Sequence, residues 1–283
     1  PQTREHLTVL EISGIKNIVV VQNKVDLVSQ EQAQQNHAQI QAFLKGSVAE
    51  GAPVIPVSAQ QKVNLDALIQ AVEERIPTPQ RDPAKPPKLL VARSFDINKP
   101  GTPVSTLKGG IIGGSLVQGQ LAVGDDIEIL PGVKVKDNFV PLRTKVTGLQ
   151  KAMTDLPQAG PGGLLGVATE LDPAVTKSDS LSGNIAGKPG QLPPARSELA
   201  FASHLLERVV GAKEELKVEP IRTGEPLLLT VGISRTVGAV SAAAQKKVTM
   251  RLKIPVVTEK GERIAISRQV AGRWRLIGWG EVA

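Results

Sequence analysis

The chain has 283 residues, of which 41% are apolar and 22% charged, and its formal net charge is +7. This composition excludes a disordered or collagen-like chain, and the length allows two or three globular domains. There is no cysteine and there are three histidines. The absence of cysteine in these 283 residues excludes disulfide scaffolds, thiolate metal sites and cysteine nucleophiles. With only three histidines, no metal site is predicted.

The charge is distributed unevenly along the chain. Residues 1–80 hold 6 basic and 8 acidic side chains, whereas residues 196–283 hold 15 and 9. A basic carboxyl-terminal region suggests a polyanionic partner such as RNA, although an ordinary soluble domain with additional lysines explains the charge equally well. No window approaches 18 apolar residues without a charge, so neither a spanning helix nor a membrane partner is predicted.

Residues 1–80 have the pattern of an α/β domain. The β-branched run Ile18-Val19-Val20-Val21 predicts a buried parallel strand, and residues 54–57 predict a second one. Between them, apolar residues at helical spacing predict a helix over residues 30–44. Asn64 is predicted to cap a third helix. The apolar stripe of that helix is Leu65, Leu68, Ile69, Val72 and Ile76.

The rest of the chain is predicted to be all-β. Prolines at residues 81–87 indicate a linker after the domain at 1–80. Short β-branched runs and glycine-rich turns predict a β-barrel over residues 88–191, which ends at a second Pro/Gly-rich break. A second barrel is predicted over residues 196–283. There Val248, Met250, Leu252 and Ile254 alternate with polar residues and are expected to face inward.

The motif Asn23-Lys24-Val25-Asp26 follows the first predicted strand directly. Loops at strand ends of an α/β sheet are where ligands bind. The Asp26 carboxylate can accept hydrogen bonds from the ring N–H and exocyclic amine of guanine, and adenine lacks these donors in that place. Asn23 can brace neighbouring loops or meet the base, and the Lys24 stem can lie over the purine. An ordinary turn is the alternative interpretation.

A second loop, Ser58-Ala59-Gln60, follows the second predicted strand. Because both strands are parallel, their loops are expected at the same edge of the sheet. The Ala59 N–H can donate to the guanine carbonyl oxygen, and Ser58 can hold either its own loop or Asp26 in place. Together the two loops predict a guanine-binding site.

Two motifs of nucleotide hydrolysis do not occur in these 283 residues. There is no G-x-x-x-x-G-K-[S/T] loop to cradle phosphates and ligate magnesium, and there is no Asp-x-Pro-Gly segment. These residues are therefore predicted to contact a base but not to hydrolyse a triphosphate unaided.

Several segments resemble known families. Residues 1–6, with the loops at 23–26 and 58–59, resemble the second half of a translational GTPase domain, and residues 112–127 resemble the second domain of that superfamily. Other segments of the chain resemble, more specifically, the gamma-subunit family of archaeal and eukaryotic translation initiation factor 2. The resemblance is greater to the archaeal form than to the eukaryotic one. The segments that carry this likeness are residues 93–101, 161–167, 192–194, 205–211, 213–216 and 267–280.

The resemblance implies an α/β plus all-β chain, with a partial P-loop-type GTPase domain followed by two β-barrels. It implies that the intact protein is a cytoplasmic GTPase that binds GTP or GDP and Mg²⁺. It also implies a heterotrimer with alpha and beta subunits that carries methionylated initiator tRNA to the small ribosomal subunit. The implied guanine contacts are Asn23, Lys24, Val25, Asp26, Ser58, Ala59 and Gln60. The catalytic residues and the Mg²⁺ ligands are expected before Pro1.

Two rival functions remain at this stage. One is another translational GTPase, such as the selenocysteine-specific or the general elongation factor, although residues 272–280 favour the gamma subunit. The other is a non-catalytic scaffold that joins partners through its barrels.

Three further groups of residues have less specific interpretations. The glycines at 109, 110, 113 and 114 are expected to serve barrel corners rather than a partner. Arg268, Arg273 and Arg275 with Trp274 and Trp279 can grip RNA, but the preferred interpretation puts both indoles inside the barrel and leaves the arginines solvated. His37 and His204 are expected to be packing residues.

Overall fold

The computed structural model describes residues 2–210 and 216–283, so residues 213–215 of the archaeal-like segment lie outside the described residues. The chain divides into two compact units, Pro1–Gln80 and Arg81–Ala283. No helix in the described ranges has the length and apolar character needed to cross a membrane.

The first unit alternates helices and strands in the predicted order. The two strands pair in parallel, with Val20 opposite Val54. Ser29 begins the second helix with a capping box, because its hydroxyl accepts from the Gln32 N–H while the Gln32 side chain accepts from the Ser29 N–H. The elements are α1 Gln2–Ile12, β1 Val20–Gln22, α2 Gln30–Leu44, β2 Val54–Pro56 and α3 Leu65–Arg75.

Three details of this unit differ from the prediction. Strand β1 begins at Val20 rather than at residue 18, and Val21 is 43% exposed instead of buried. The stripe on α3 is also largely exposed in this chain, with Ile69 63% exposed. Asn64 does not cap α3 with its side chain but adopts a left-handed backbone conformation.

The second unit begins with a closed antiparallel barrel. The elements are β3 Lys88–Phe95, β4 Ile111–Gln118, β5 Leu121–Ala122, β6 Asp126–Val135, β7 Asn138–Lys151, β8 Thr154–Leu156, β9 Gln158–Ala159, β10 Leu165–Thr169, α4 Pro173–Thr176 and β11 Ile185–Gly187. Six strands are joined in the order β10-β4-β3-β11-β6-β7, and β7 closes the ring by pairing with β10. Strand β8 pairs antiparallel with the end of β7, and β5 pairs with β9 in a small ribbon.

Close packing explains most of the glycines around β4. A Cβ on Gly109 would lie 1.8 Å from the Thr169 carbonyl oxygen, and one on Gly114 would lie 1.8 Å from the Leu90 carbonyl oxygen. A Cβ on Gly113 would be 3.8 Å from its nearest neighbours, which is an ordinary contact. The predicted structural role therefore holds for Gly109 and Gly114, while Gly113 has room for a side chain.

A second closed antiparallel barrel completes the unit, so the predicted fold class of an α/β unit followed by two β-barrels is confirmed. Its strands are β12 Ala195–Leu205, β13 Pro226–Val231, β14 Ser234–Ala244, β15 Lys247–Val257, β16 Arg263–Val270 and β17 Arg273–Val282. They are joined in the order β12-β15-β14-β13-β16-β17, and β17 pairs with β12 to close the barrel.

The predicted alternation along β15 fails at one of its four positions. Val248, Met250 and Leu252 are buried, but Ile254 is 41% exposed. The pairing with β12 shifts register between Arg196 and Glu198, which face Val256 and Arg251, and Ile254 lies in the stretch between those two pairs. Val256 beyond it is buried again, so the prediction is wrong for Ile254 alone.

The prediction that both tryptophans fill this barrel is wrong. Trp274 is 38% exposed. Trp279 is half-buried and stacks on His204 with ring centroids 4.0 Å apart, while the Arg263 guanidinium carbon lies 4.8 Å from its ring centroid. Phe201 fills the interior, where a Cβ on Gly280 would lie 2.6 Å from its ring. The packing role expected for His204 is confirmed.

Arg268 is neither solvated nor free to grip RNA, so both interpretations of this residue are wrong. Its guanidinium pairs with the Glu225 carboxylate, and both side chains are only 17% exposed. It also donates to the Glu219 carbonyl oxygen at 2.9 Å. Because every one of these partners belongs to the barrel, Arg268 is a structural residue.

The two barrels pack on each other within the second unit. Leu130 and Ile185 from the first barrel form a buried cluster with Val257 from the second. The Ser234 hydroxyl donates to the Gly183 carbonyl oxygen, and Lys88 pairs with Glu259 at 2.9 Å. Apolar burial and polar bonds therefore both join the barrels.

Candidate nucleotide-binding site

The two loops of the predicted site leave the same edge of the β1–β2 sheet. The Val57 N–H donates to the Gln22 carbonyl oxygen at 2.8 Å, so the parallel ladder continues past the end of β2. The Val25 N–H then donates to the Val57 carbonyl oxygen at 3.3 Å. Residues 23–26 and 58–60 are thereby placed side by side, as their positions after parallel strands predict.

Asn23 joins the two loops directly. Its Oδ1 accepts from the Lys24 N–H at 2.8 Å and from the Ala59 N–H at 3.1 Å. Of the two roles that the sequence leaves open for Asn23, the structure supports bracing of the neighbouring loop. The Ala59 N–H already has this acceptor, so a guanine carbonyl oxygen would share the donor in a three-centre bond.

Lys24 and Asp26 are both exposed and available to a ligand. Lys24 has φ 67° and ψ 33°, a left-handed conformation that is uncommon for a non-glycine residue. It leads into a single turn of 3₁₀ helix over Val25–Leu27 that presents the Asp26 side chain. Val25 is half-buried, so its part in the motif is to hold the turn through its backbone.

The second loop closes on itself. Ser58 is buried, and its Oγ accepts from the Gln61 N–H at 3.2 Å. The backbones of Ser58 and Val63 exchange two hydrogen bonds, of 3.2 Å and 3.0 Å. Ala59 and Gln60 stand exposed at the tip. Ser58 therefore holds its own loop, and no described hydrogen bond joins it to Asp26.

The side chain of Asn64 makes a contact in this arrangement that the sequence does not predict. The Asn64 side-chain amide donates to the Pro56 carbonyl oxygen at 2.7 Å and so ties the start of α3 to the end of β2. The sequence marks Asn64 as a helix cap, and nothing in the pattern indicates that its amide turns back to the strand.

The described residues of the site do not form a cluster that could hold a metal ion. Among residues 2–210 and 216–283, no group of three or more His, Asp or Glu side chains is placed to hold a metal ion. Asp26 is a single carboxylate at the loop edge. The described residues therefore do not fit a Mg²⁺ site, and the chemistry they support is hydrogen bonding to a planar heterocycle.

Family models match three parts of the chain. The family model for the elongation factor Tu GTP binding domain matches residues 1–78, and that for elongation factor Tu domain 2 matches residues 109–180. The model for initiation factor eIF2 gamma, C terminal, matches residues 197–282.

The fold recurs in solved structures of translation factors. The crystal structure of the bacterial selenocysteine-specific elongation factor EF-Sec matches with a TM-score of 0.77 and 21% identity, over 100% of this chain and 42% of that one. Apo elongation factor SelB from Methanococcus maripaludis matches with a TM-score of 0.75 and 18% identity, over 99% of this chain and 61% of that one. At such identities the likeness shows the fold alone. The fold and the family models together place the chain in the class of translational GTPases.

Other relatives are much more similar to this chain in sequence than these structures are. The translation initiation factor 2 subunit gamma of Methanothermobacter thermautotrophicus is 56% identical over 99% of this chain and 70% of its own length. The subunit of the same name from Pyrococcus furiosus is 54% identical over 99% of this chain and 69% of its own length. The chain belongs to the gamma-subunit family of translation initiation factor 2.

Proposed function

We propose that residues 1–80 recognise the guanine base of GTP or GDP. The observation that carries the proposal is the pairing of the two loops through Asn23 and Ala59 beside the exposed Asp26 carboxylate. Asp26 accepts from the guanine N1–H and 2-amine, while the Ala59 N–H donates to the carbonyl oxygen. Lys24 covers the purine face with its stem, and Gln60 borders the same loop tip.

The whole subunit is proposed to be a GTP-controlled carrier. In this role it acts in the cytoplasm as the core of a heterotrimer with alpha and beta subunits, and it brings methionylated initiator tRNA to the small ribosomal subunit. Membership of the gamma-subunit family supports this role. GTP binding orders the surface that holds the tRNA, and hydrolysis releases it.

Hydrolysis is proposed to need residues beyond these 283. The sequence holds no phosphate-cradling G-x-x-x-x-G-K-[S/T] loop. The structure brings together no group of three or more acidic or histidine side chains in residues 2–210 and 216–283 that could hold a metal ion. The present chain is therefore proposed to supply base selectivity and two barrels, and not to hydrolyse GTP by itself. The boundaries 1–80, 81–87, 88–191 and 196–283 likewise remain a proposal about its domains.

A nucleotide titration tests base recognition. The subunit produced from its whole gene should bind GDP at least about 100-fold more tightly than ADP, because adenine leaves the Asp26 carboxylate unpaired. Asp26→Ala should lower the affinity for GDP by a similar factor. Asp66→Ala, which removes an exposed carboxylate of α3 outside the two loops, is the matched control and should change neither affinity.

A tRNA-binding assay tests the carrier role. With GTP bound, the subunit should retain methionylated initiator tRNA more tightly than an elongator aminoacyl-tRNA. Equal affinity for the two tRNAs would contradict the carrier role while leaving guanine recognition intact.

A further inference from the structure

The loop that carries the Ala59 N–H is held at both ends by one side chain. Residues 57–63 leave β2 at Pro56 and enter α3 at Asn64, and the Asn64 amide donates to the Pro56 carbonyl oxygen at 2.7 Å. Within this loop, Ser58 and Val63 exchange two backbone hydrogen bonds. The position of the Ala59 N–H therefore depends on a closed ring of bonds that the Asn64 amide completes.

Asn64 is also unusual in its backbone. Its φ of 60° and ψ of 26° lie in the left-handed region, where asparagine is tolerated far better than most side chains. Its carbonyl oxygen accepts the first hydrogen bond of α3 from the Leu68 N–H. At most helix starts an asparagine would accept from the helix with its side chain, whereas here the side chain donates backwards to the strand.

Left-handed residues concentrate at this site. Lys24 lies in one loop, and Lys62 and Asn64 belong to the other, with φ of 67°, 55° and 60°. Such residues persist where the surrounding bonds hold them, and they cluster at ligand sites. Among the described side-chain bonds of the second loop, the Asn64–Pro56 bond joins its two ends and holds the left-handed Asn64 in place.

We propose that Asn64 is a positioning residue that fixes the Ala59 N–H toward the guanine carbonyl oxygen and so sets selectivity at that edge of the base. The inference rests on the proposed guanine recognition. Asp26 reads the other edge of the base from the first loop. Asn23 accepts from the Lys24 N–H in that loop and from the Ala59 N–H in the second, whereas the described bonds of the Asn64 amide and carbonyl lie outside the first loop. The two selectivities should therefore separate on substitution.

Two analogues distinguish the two edges. The diphosphate of 6-thioguanosine keeps the N1–H and the 2-amine but replaces the carbonyl oxygen with sulfur, a weaker acceptor. Inosine diphosphate keeps the carbonyl oxygen and N1–H but lacks the 2-amine that Asp26 accepts from. Preference for GDP over the thio analogue reports on Ala59, and preference over the inosine analogue reports on Asp26.

The experiment compares these preferences by calorimetry in the subunit produced from its whole gene. Asn64→Gly keeps the left-handed backbone without the amide, and Asn64→Asp keeps the size without the donor. Both should reduce the preference for GDP over the thio analogue by about tenfold, the equivalent of one hydrogen bond, and leave the preference over inosine diphosphate unchanged. Gln245→Gly, another left-handed position in the second barrel, should change neither.

The outcomes are distinct. An unchanged thio preference in both variants, with normal GDP binding, would overturn the role of Asn64 alone. Equal loss of all three nucleotides in both variants would overturn it too, because Asn64 would then be a general stabilising residue. If the unsubstituted subunit prefers GDP over neither analogue, both the guanine recognition and this inference are overturned.

Discussion

At the scale of single residues, the first barrel contains an ion pair that anchors a loop to a strand. Asp179, with φ 58°, accepts from the Arg93 Nε at 2.8 Å and from the Ser94 N–H at 3.0 Å. The bond from Arg93, and then that from the Ser94 N–H, lowers the pKa of the Asp179 carboxyl. The same pair raises the pKa of Arg93, which stays charged throughout.

This pair predicts a dependence of stability on pH. A carboxyl whose pKa is lower in the folded state stabilises the fold fully above its ordinary pKa of about 3.9, and this contribution is lost as pH falls through the folded pKa. Asp179→Asn should therefore flatten the decline in the free energy of unfolding below about pH 4. Urea titrations at several pH values measure this, and an equally steep decline in the variant would contradict it.

The Trp279 stack gives a second prediction at this scale. Trp279→Ala removes the contacts with His204 and Arg263 and should lower the free energy of unfolding by about 2 kcal/mol. Trp274→Ala, at the more exposed indole of the same strand, should cost about 1 kcal/mol or less. Chemical denaturation compares the two, and equal losses would show that the stack adds nothing.

At the scale of elements, what the sequence predicts depends on regular periodicity. Helix α2 was predicted from its apolar spacing, and it spans the predicted residues 30–44. The exposure of Ile254 was not predictable, because this residue lies where the pairing of β12 with β15 is irregular and the irregularity leaves no mark in composition. In the site, the two loops follow from their motifs. The Asn64–Pro56 bond does not, since it depends on three-dimensional closure of the loop.

Strand β4 offers a matched pair of glycines for a test at this scale. Gly114→Ala would place a Cβ 1.8 Å from the Leu90 carbonyl oxygen, so the strands must separate, and we expect a loss of about 3 kcal/mol. Gly113→Ala meets only ordinary contacts and should stay within about 0.5 kcal/mol of the unsubstituted protein. Thermal unfolding of the first barrel distinguishes the two, and similar costs would contradict the packing argument.

At the scale of the whole molecule, the described apolar core lies mainly in the second unit. Each barrel encloses its own cluster of buried side chains, around Leu116 and Ile127 in one and around Phe201 and Met250 in the other. In the first unit, by contrast, apolar side chains such as Ile69 are widely exposed. The sequence indicated the barrels through their short strands.

This contrast predicts unequal stability. Residues 81–283 produced alone should retain the principal unfolding transition of the 283-residue chain, because both barrels are closed and packed on each other. Amide hydrogens of β1 and β2 should exchange faster than those of β4 and β15. Hydrogen exchange followed by mass spectrometry measures this, and equal protection in all four strands would contradict it.

The most direct measurement of the central claim is the affinity of the subunit for GDP and for xanthosine diphosphate, before and after Asp26→Asn. Xanthine carries an oxygen where guanine has its 2-amine, so an asparagine amide can donate to it while the carboxylate cannot. Recognition by Asp26 predicts that the unsubstituted subunit prefers GDP and that the variant prefers xanthosine diphosphate. An unchanged order of affinity in the variant would show that Asp26 does not read the base.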